Sequence, residues 1–221
     1  MAREWEFSVL FALTLATLPI APALAQSGAR PTSASAQFWG EAASSDTQRV
    51  AAWVTASADN DGLPFVIVDK IDAKVFVFEP SGRLQGAARA LLGVARGDDS
   101  VPGIGSRLLS LIRPEERNTP AGRFEATLGN DLGEIDVLWV DYDAAISLHR
   151  VIKGNPGDHR LLRLGTNSPL DKRITYGCIN VPVSFYETII RPAFLQTKGI
   201  VYILPEHKPL TDVFPKVGAA K

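Results

Sequence analysis

The stretch Phe65-Val66-Ile67-Val68-Asp69-Lys70-Ile71-Asp72-Ala73-Lys74-Val75-Phe76-Val77-Phe78 decides the fold. Upstream, Asp46 to Ala58 carries Val50, Trp53 and Val54 at helical spacing, with Asp46 as the expected N-cap. Asn60-Asp61-Gly62 ends that helix, and Pro64 opens an extended segment. From Phe65 the period changes to two. Phe65–Val68 and Lys74–Phe78 read as strands, rich in β-branched and aromatic residues, around a turn at 70–73. Pro80-Ser81-Gly82 marks the next turn, and Ala90 to Val94 is read as a third strand. The pattern is a β-meander and predicts an antiparallel sheet with one buried face.

Further strands are expected at Phe124–Leu128, Ile135–Val140, Ala145–His149 and Ile200–Leu204. Ser184 and Glu187 have the spacing of a capping box, so a helix should start there, and Pro192 should kink or end it. The fold class is therefore mainly β, a sandwich or barrel with a few peripheral helices. The organisation reads as a signal peptide over 1–25, a disordered leader over 26–44, a helical segment over 45–63, one domain over 64–205 and a loosely held tail over 206–221. Phe38-Trp39 could dock on the domain, although nothing local requires it. The loop-rich run 96–120 holds Asp98-Asp99, read as a solvated turn. The excursion 150–173 is lopsidedly basic: Arg150, Lys153, Arg160, Arg163, Lys172 and Arg173 stand against Asp158 and Asp171. It is either a solvated loop or a cover that favours anionic groups.

With 23 Lys+Arg against 24 Asp+Glu, the net charge is −1, which argues against nucleic acid as a partner. Phe7 to Ala25 is apolar and uncharged and ends in Ala23-Leu24-Ala25, a small-x-small cleavage pattern. Export to the periplasm or cell envelope is expected, with cleavage near Ala25. The alternative is a retained N-terminal anchor.

Cys178 is the only cysteine, so no internal disulfide can form. It is an inert buried thiol, an intermolecular link or a nucleophile. Three histidines compete for the role of base. His207 lies in the polar tail and His159 in the polar excursion. His149 ends an apolar-flanked run, where a side chain can face a cleft built on a rigid sheet. Gly177 lets the backbone approach closely, and amides from Tyr176 to Cys178 could serve an oxyanion. No His-x-x-x-His or Cys-x-x-Cys spacing suggests a metal, and no Gly-x-Ser-x-Gly suggests a serine hydrolase. No cofactor is expected.

Thr175-Tyr176-Gly177-Cys178-Ile179-Asn180, preceded by His149 and by Thr119-Pro120-Ala121-Gly122-Arg123-Phe124, resembles the catalytic motifs of the L,D-transpeptidase (YkuD-type) family. The resemblance covers roughly 64–204. It implies that Cys178 is the acylated nucleophile, that His149 is its general base and that the turn at Gly177 forms the oxyanion hole. It further implies peptidoglycan stem peptides as substrate, and a stem-peptide amine, a protein lysine or water as acceptor. Thr175, Tyr176, Asn180, Arg150 and Arg173 are the expected substrate-binding residues, and a monomer is expected. Two alternatives remain: a hydrolase of the same linkages, and a catalytically silent wall-binding module. The chain departs from the family in two ways. Tyr176 stands where the motif has a second histidine. Arg150 follows His149 where a small residue is usual, and Cys178 comes 29 positions after His149 (178 − 149).

Overall fold

The computed structural model describes residues 36, 38–131 and 135–218. The expected signal peptide, most of the leader and the last three residues of the tail lie outside the described residues. Among the described residues, no helix is long and apolar enough to cross a membrane.

The protein is mostly β, with few helices. β1 (Phe65–Asp69), β2 (Lys74–Phe78) and β3 (Leu84–Arg89) form the meander. The remaining strands are β4 (Leu92–Gly93), β5 (Gly122–Asn130), β6 (Asp136–Asp141), β7 (Ile146–Arg150), β8 (Arg173–Thr175), β9 (Ile179–Val181) and β10 (Gly199–Ile203). Eight of them make one sheet in the order β3-β2-β1-β10-β5-β6-β7-β9, and β4 pairs with β8. The pairs β1–β10 and β7–β9 are parallel, so the sheet is mixed rather than purely antiparallel. Leu91, just after β3, exchanges two backbone hydrogen bonds with Asn180 of β9, at 2.8 and 2.9 Å. The two ends of the sheet are thereby tied, and it is nearly closed.

The meander begins as the sequence predicts and then differs. Its third strand is Leu84–Arg89, not 90–94. More importantly, β1 and β10 are buried along their whole length. One face, with Val66, Val68, Val75, Val77, Val201 and Ile203, packs on Phe185, Tyr186, Ile190 and Phe194 of a helix spanning 183–194. The other face, with Phe65, Ile67, Phe76, Phe78, Ile200 and Tyr202, is covered by helix α1 (Ser45–Ser57) and by Leu210, Phe214 and Val217. The uninterrupted apolar runs of β1 and β2 thus reflect two buried faces rather than one. Phe65 stacks on Phe78 at 4.7 Å, and Trp53 meets Tyr202 edge-on at 5.9 Å.

The segments on both flanks of the domain are better held than expected. Phe38 sits edge-on to Phe76 and Phe78, so this part of the leader is docked. The N-cap of α1 is Ser44, whose Oγ accepts from Thr47 N at 3.1 Å. Asp69 then joins α1 to the hairpin: one carboxylate oxygen accepts from Ser44 and Thr47, the other from the N–H groups of Ile71 and Asp72. The helix at 183–194 starts at Val183 after Pro182, without the Ser184–Glu187 box, and it continues through Pro192. Its centre, Tyr186–Ile190, is a π turn. Widening the ladder there relieves the clash that a proline ring makes with the carbonyl one turn earlier.

Asp98 is buried rather than part of a solvated turn. It receives Lys70 Nζ at 2.7 Å and the N–H groups of Glu206, His207 and Lys208 at 2.7–2.8 Å. The Glu206 side chain is buried too and is held by Arg173 and Gly97 N, which pins the start of the tail. Burial pushes the Asp98 carboxyl up, but Lys70 and the three N–H donors outweigh it and hold it well below the usual carboxylate range. Its contribution to stability is therefore complete above the unfolded value of ~3.9 and is lost as pH falls through the depressed folded value. Asp98→Asn, which leaves a buried ammonium without its nearest anion, is expected to cost ~3–5 kcal/mol in urea unfolding at neutral pH. The difference from wild type should narrow below pH ~3.9.

Candidate active site

Four elements converge on Cys178. The turn between β8 and β9 carries it. Thr175 Oγ1 accepts from Gly177 N at 3.1 Å and donates to the Cys178 carbonyl at 2.7 Å, which locks the turn from inside. The Gly177 carbonyl accepts from Thr119 Oγ1 at 2.8 Å, and Thr119 Oγ1 accepts from Gly93 N at 3.0 Å. Gly177 has φ +133°, and a Cβ there would lie 2.6 Å from Ile146 Cδ1 and 2.7 Å from the Asn118 carbonyl. Only glycine meets both demands. Its own N–H is engaged by Thr175, so its part in the turn is conformational.

β7 supplies the other half of the site. Strand alternation puts Ser147 and His149 on one face and Leu148 and Arg150 on the other. Ser147 Oγ approaches Cys178 Sγ at 3.6 Å, and the Ala145 carbonyl lies at the same distance. Parallel pairing with β9 sets His149 opposite Asn180. His149 Nδ1 is 2.8 Å from the Arg150 carbonyl, and Nε2 is 3.0 Å from Asn180 Nδ2. Burial pushes the Cys178 thiol up. The hydrogen bond and charge of His149, together with hydrogen bonds from Ser147, outweigh burial and leave the thiol below its ordinary value.

The sequence-predicted residues fall into two groups. Cys178, Gly177, Thr175, His149 and Asn180 are brought together. Thr175 and Asn180 are buried, and their polar atoms bond to the turn and to His149. Tyr176 is 38% exposed beside the cysteine, with the Arg117 guanidinium 3.9 Å from its ring centroid. Arg117 is held in turn by the Ile112 carbonyl at 2.7 and 3.0 Å. Arg150 and Arg173 do not join this group. Arg150 lies on the far face of β7, paired with Asp136 and Glu187 over the Tyr186 ring, and only its carbonyl reaches the site. Arg173 pairs with Glu206 and donates to the Lys70 carbonyl at 2.8 Å.

Sequence reasoning missed Ser147, Thr119 as the support of the turn, Arg117 and Arg160. Ser147 carried a signal: it is a polar residue two positions before His149 in an otherwise apolar run, hence on the same face. Nothing in the sequence pointed to Arg117 or Arg160.

The arrangement can do one kind of chemistry well. It holds a thiol with a depressed pKa beside an oriented imidazole, on a turn locked by Thr175 and Thr119.

No family model matches the sequence, and no curated protein sequence matches it. Among solved structures, the chain is similar to the helical cell shape determining protein Pgp2 from Campylobacter jejuni, at 18% identity with a TM-score of 0.44 over 74% of this chain and 57% of that one. It is also similar to an Enterococcus faecium L,D-transpeptidase C442S mutant, at 13% identity with a TM-score of 0.36 over 63% of this chain and 49% of that one. An L,D-transpeptidase from Mycobacterium smegmatis gives 13% identity and a TM-score of 0.35 over 63% of this chain and 58% of that one. The chain spans about half to three-fifths of the length of these proteins.

Two outcomes follow from the geometry. Iodoacetamide alkylation of Cys178 should titrate with a midpoint below the ~8.5 of a free thiol, and His149→Ala should raise that midpoint. Gly177→Ala should keep the circular dichroism of the fold yet slow alkylation ~10-fold or more, in line with ~1–3 kcal/mol of local strain.

Proposed function

We propose that the chain is a cysteine acyltransferase of the L,D-transpeptidase kind, acting on peptidoglycan stem peptides. The observation that carries this reading is the oriented pair Cys178–His149: the thiol sits below its ordinary pKa with its base fixed on both ring nitrogens. The motif resemblance supplies the substrate class, and the charge asymmetry of the chain adds nothing to it.

In the proposed reaction the Asn180 amide releases the Nε2 lone pair of His149, Nε2 takes the Cys178 proton, and the thiolate attacks the carbonyl carbon of the diamino-acid unit. The C–N bond to terminal D-Ala breaks, and the imidazolium gives its proton to the leaving amine. The backbone amides of Tyr176 and Cys178 are the oxyanion donors in this scheme, since the Gly177 amide is engaged by Thr175. An amine then attacks the thioester and loses its proton to His149, which restores the thiol. With water in place of the amine the same site is a hydrolase. A silent wall-binding module is disfavoured, because such a module has no need of a depressed thiol pKa or an oriented histidine. The reading includes export, since the substrate lies outside the cytoplasm.

Wall fragments from cells carrying Cys178→Ala should lose the cross-links or attached proteins made by the wild type. Purified wild-type protein should gain the mass of a carbapenem at Cys178. Unchanged wall fragments together with no mass gain would sink the enzymatic reading. Loss of only shortened stems would move the assignment to the hydrolase.

A further inference from the structure

The stretch 150–173 carries six basic residues, counting Arg150 at the end of β7 and Arg173 at the start of β8, and most of them are engaged inside the protein. Arg163 donates to the carbonyls of Asp158 and Asp171, Lys172 to those of Arg163 and Thr166, and Arg173 to Glu206. Arg160 differs from these, because its partner belongs to the site. It opens helix α2 (Arg160–Gly165), its Nε donates to Asp158 at 3.0 Å, and its Nη1 donates to Asn180 Oδ1 at 3.1 Å.

That last bond has a consequence two residues away. A guanidinium has donors only, so the Asn180 atom facing it is the oxygen. The amide nitrogen is then the atom 3.0 Å from His149 Nε2, and an NH2 group donates, so Nε2 presents its lone pair there. On the opposite side of the ring Nδ1 faces the Arg150 carbonyl at 2.8 Å. A carbonyl only accepts, so Nδ1 carries the proton. Two acceptor–donor assignments, one at each end, leave a single tautomer for the neutral ring.

We infer that Arg160 is a positioning residue for His149, acting through Asn180: it fixes the orientation of the Asn180 amide and so holds the imidazole as the Nδ1–H tautomer. Freed of Arg160, the amide can turn by half a rotation and offer Oδ1 to Nε2. That arrangement accepts a proton-bearing Nε2 while the Arg150 carbonyl still accepts from Nδ1, and so favours the imidazolium. The groups around the ring are the Cys178 thiol, the Arg150 carbonyl and Asn180, with the Arg160–Asp158 pair behind Asn180. The Arg150 guanidinium is on the far face of β7, paired with Asp136 and Glu187. The inference rests on reading His149 as the base of Cys178, yet tautomer and activity are measured separately.

The test is long-range proton–nitrogen NMR on protein labelled with ring-15N histidine. The chain has three histidines, and His149→Gln identifies the signal of interest. In the full-length wild type, above the imidazole titration, Nδ1 of His149 should show the protonated shift and Nε2 the unprotonated one. Arg160→Ala should move the Nε2 shift toward the protonated value at the same pH, with Nδ1 still protonated, while Arg160→Lys, which still donates to Oδ1, should keep the wild-type pattern. In parallel, Arg160→Ala should move the pH midpoint of Cys178 alkylation downward, because the imidazolium that accompanies the thiolate is stabilised. A protonated Nε2 in the neutral wild type overturns the inference, and this outcome needs no variant to fold. So do wild-type shifts in a folded Arg160→Ala protein, which would mean that Arg160 only staples α2 to the sheet. If the tautomer is as stated but the Cys178→Ala wall is unchanged, the functional reading fails and the positioning role of Arg160 stands.

Discussion

The wholly buried ammonium of Lys70 is the constraint on which the rest depends. Its three bonds go to Asp98 and to the carbonyls of Gly97 and Thr119, and Glu206 lies 3.7 Å away. Burial alone would drive its charge out, and its pKa is indeed lowered. The two carboxylates and the carbonyls keep the site satisfied. Through Asp98 and Glu206 the ammonium holds the start of the C-terminal segment. Through Thr119 it reaches the nucleophile turn, because the residue whose carbonyl it binds also donates its hydroxyl to Gly177. One buried cation thus connects the β1–β2 turn, the 96–120 loop, the C-terminal segment and the backbone next to Cys178.

The site itself follows from register. The parallel pairing of β7 with β9 sets His149 against Asn180, and the two-residue period then places Ser147 and Cys178 at the neighbouring positions of the same face. A slip of one residue would send His149 to the side now occupied by Arg150, among Asp136, Glu187 and Tyr186. Register is protected by the apolar residues of the opposite face, since Leu148, Ile179 and Val181 are buried in the core beneath. The chemistry of the upper face is therefore fixed by the packing of the lower one.

Apolar pattern made most of the strands legible, and residue type made Cys178, Gly177 and His149 legible. What stayed hidden has a common cause. Lys70, Asp98, Glu206 and Lys172 read as solvated charge, because nothing local distinguishes a buried ion from an exposed one. Their burial depends on partners 28 to 136 positions away, or on carbonyls that carry no sequence signal. The third meander strand, Leu84-Gln85-Gly86-Ala87-Ala88-Arg89, is weakly apolar, so the pattern shifted attention to 90–94. Gly86 is informative there, because a Cβ would meet Phe185 at 3.2 Å, and the strand is lean so that the 183–194 helix can approach. The residues after 205 looked like a tail because Leu210, Phe214 and Val217 are spread among prolines and charges, although together they cover a sheet face.

The two departures from the motif that the sequence resembles are connected by what the structure does with polar side chains near the cysteine. Where the motif has a second histidine, Tyr176 lies against the face of Arg117, and that guanidinium donates from Nε and Nη2 to the Ile112 carbonyl. The motif's imidazole is thus replaced by an aromatic face braced by a guanidinium. On the other side of the cysteine, the long excursion delivers Arg160 to Asn180. Both features set an arginine against a neutral residue of the site, Arg117 on the Tyr176 ring and Arg160 on the Asn180 amide, and Arg160 is also paired with Asp158. The basic composition of the excursion, which from sequence suggested an anion-selective cover, is then explained by internal carbonyl and carboxylate partners.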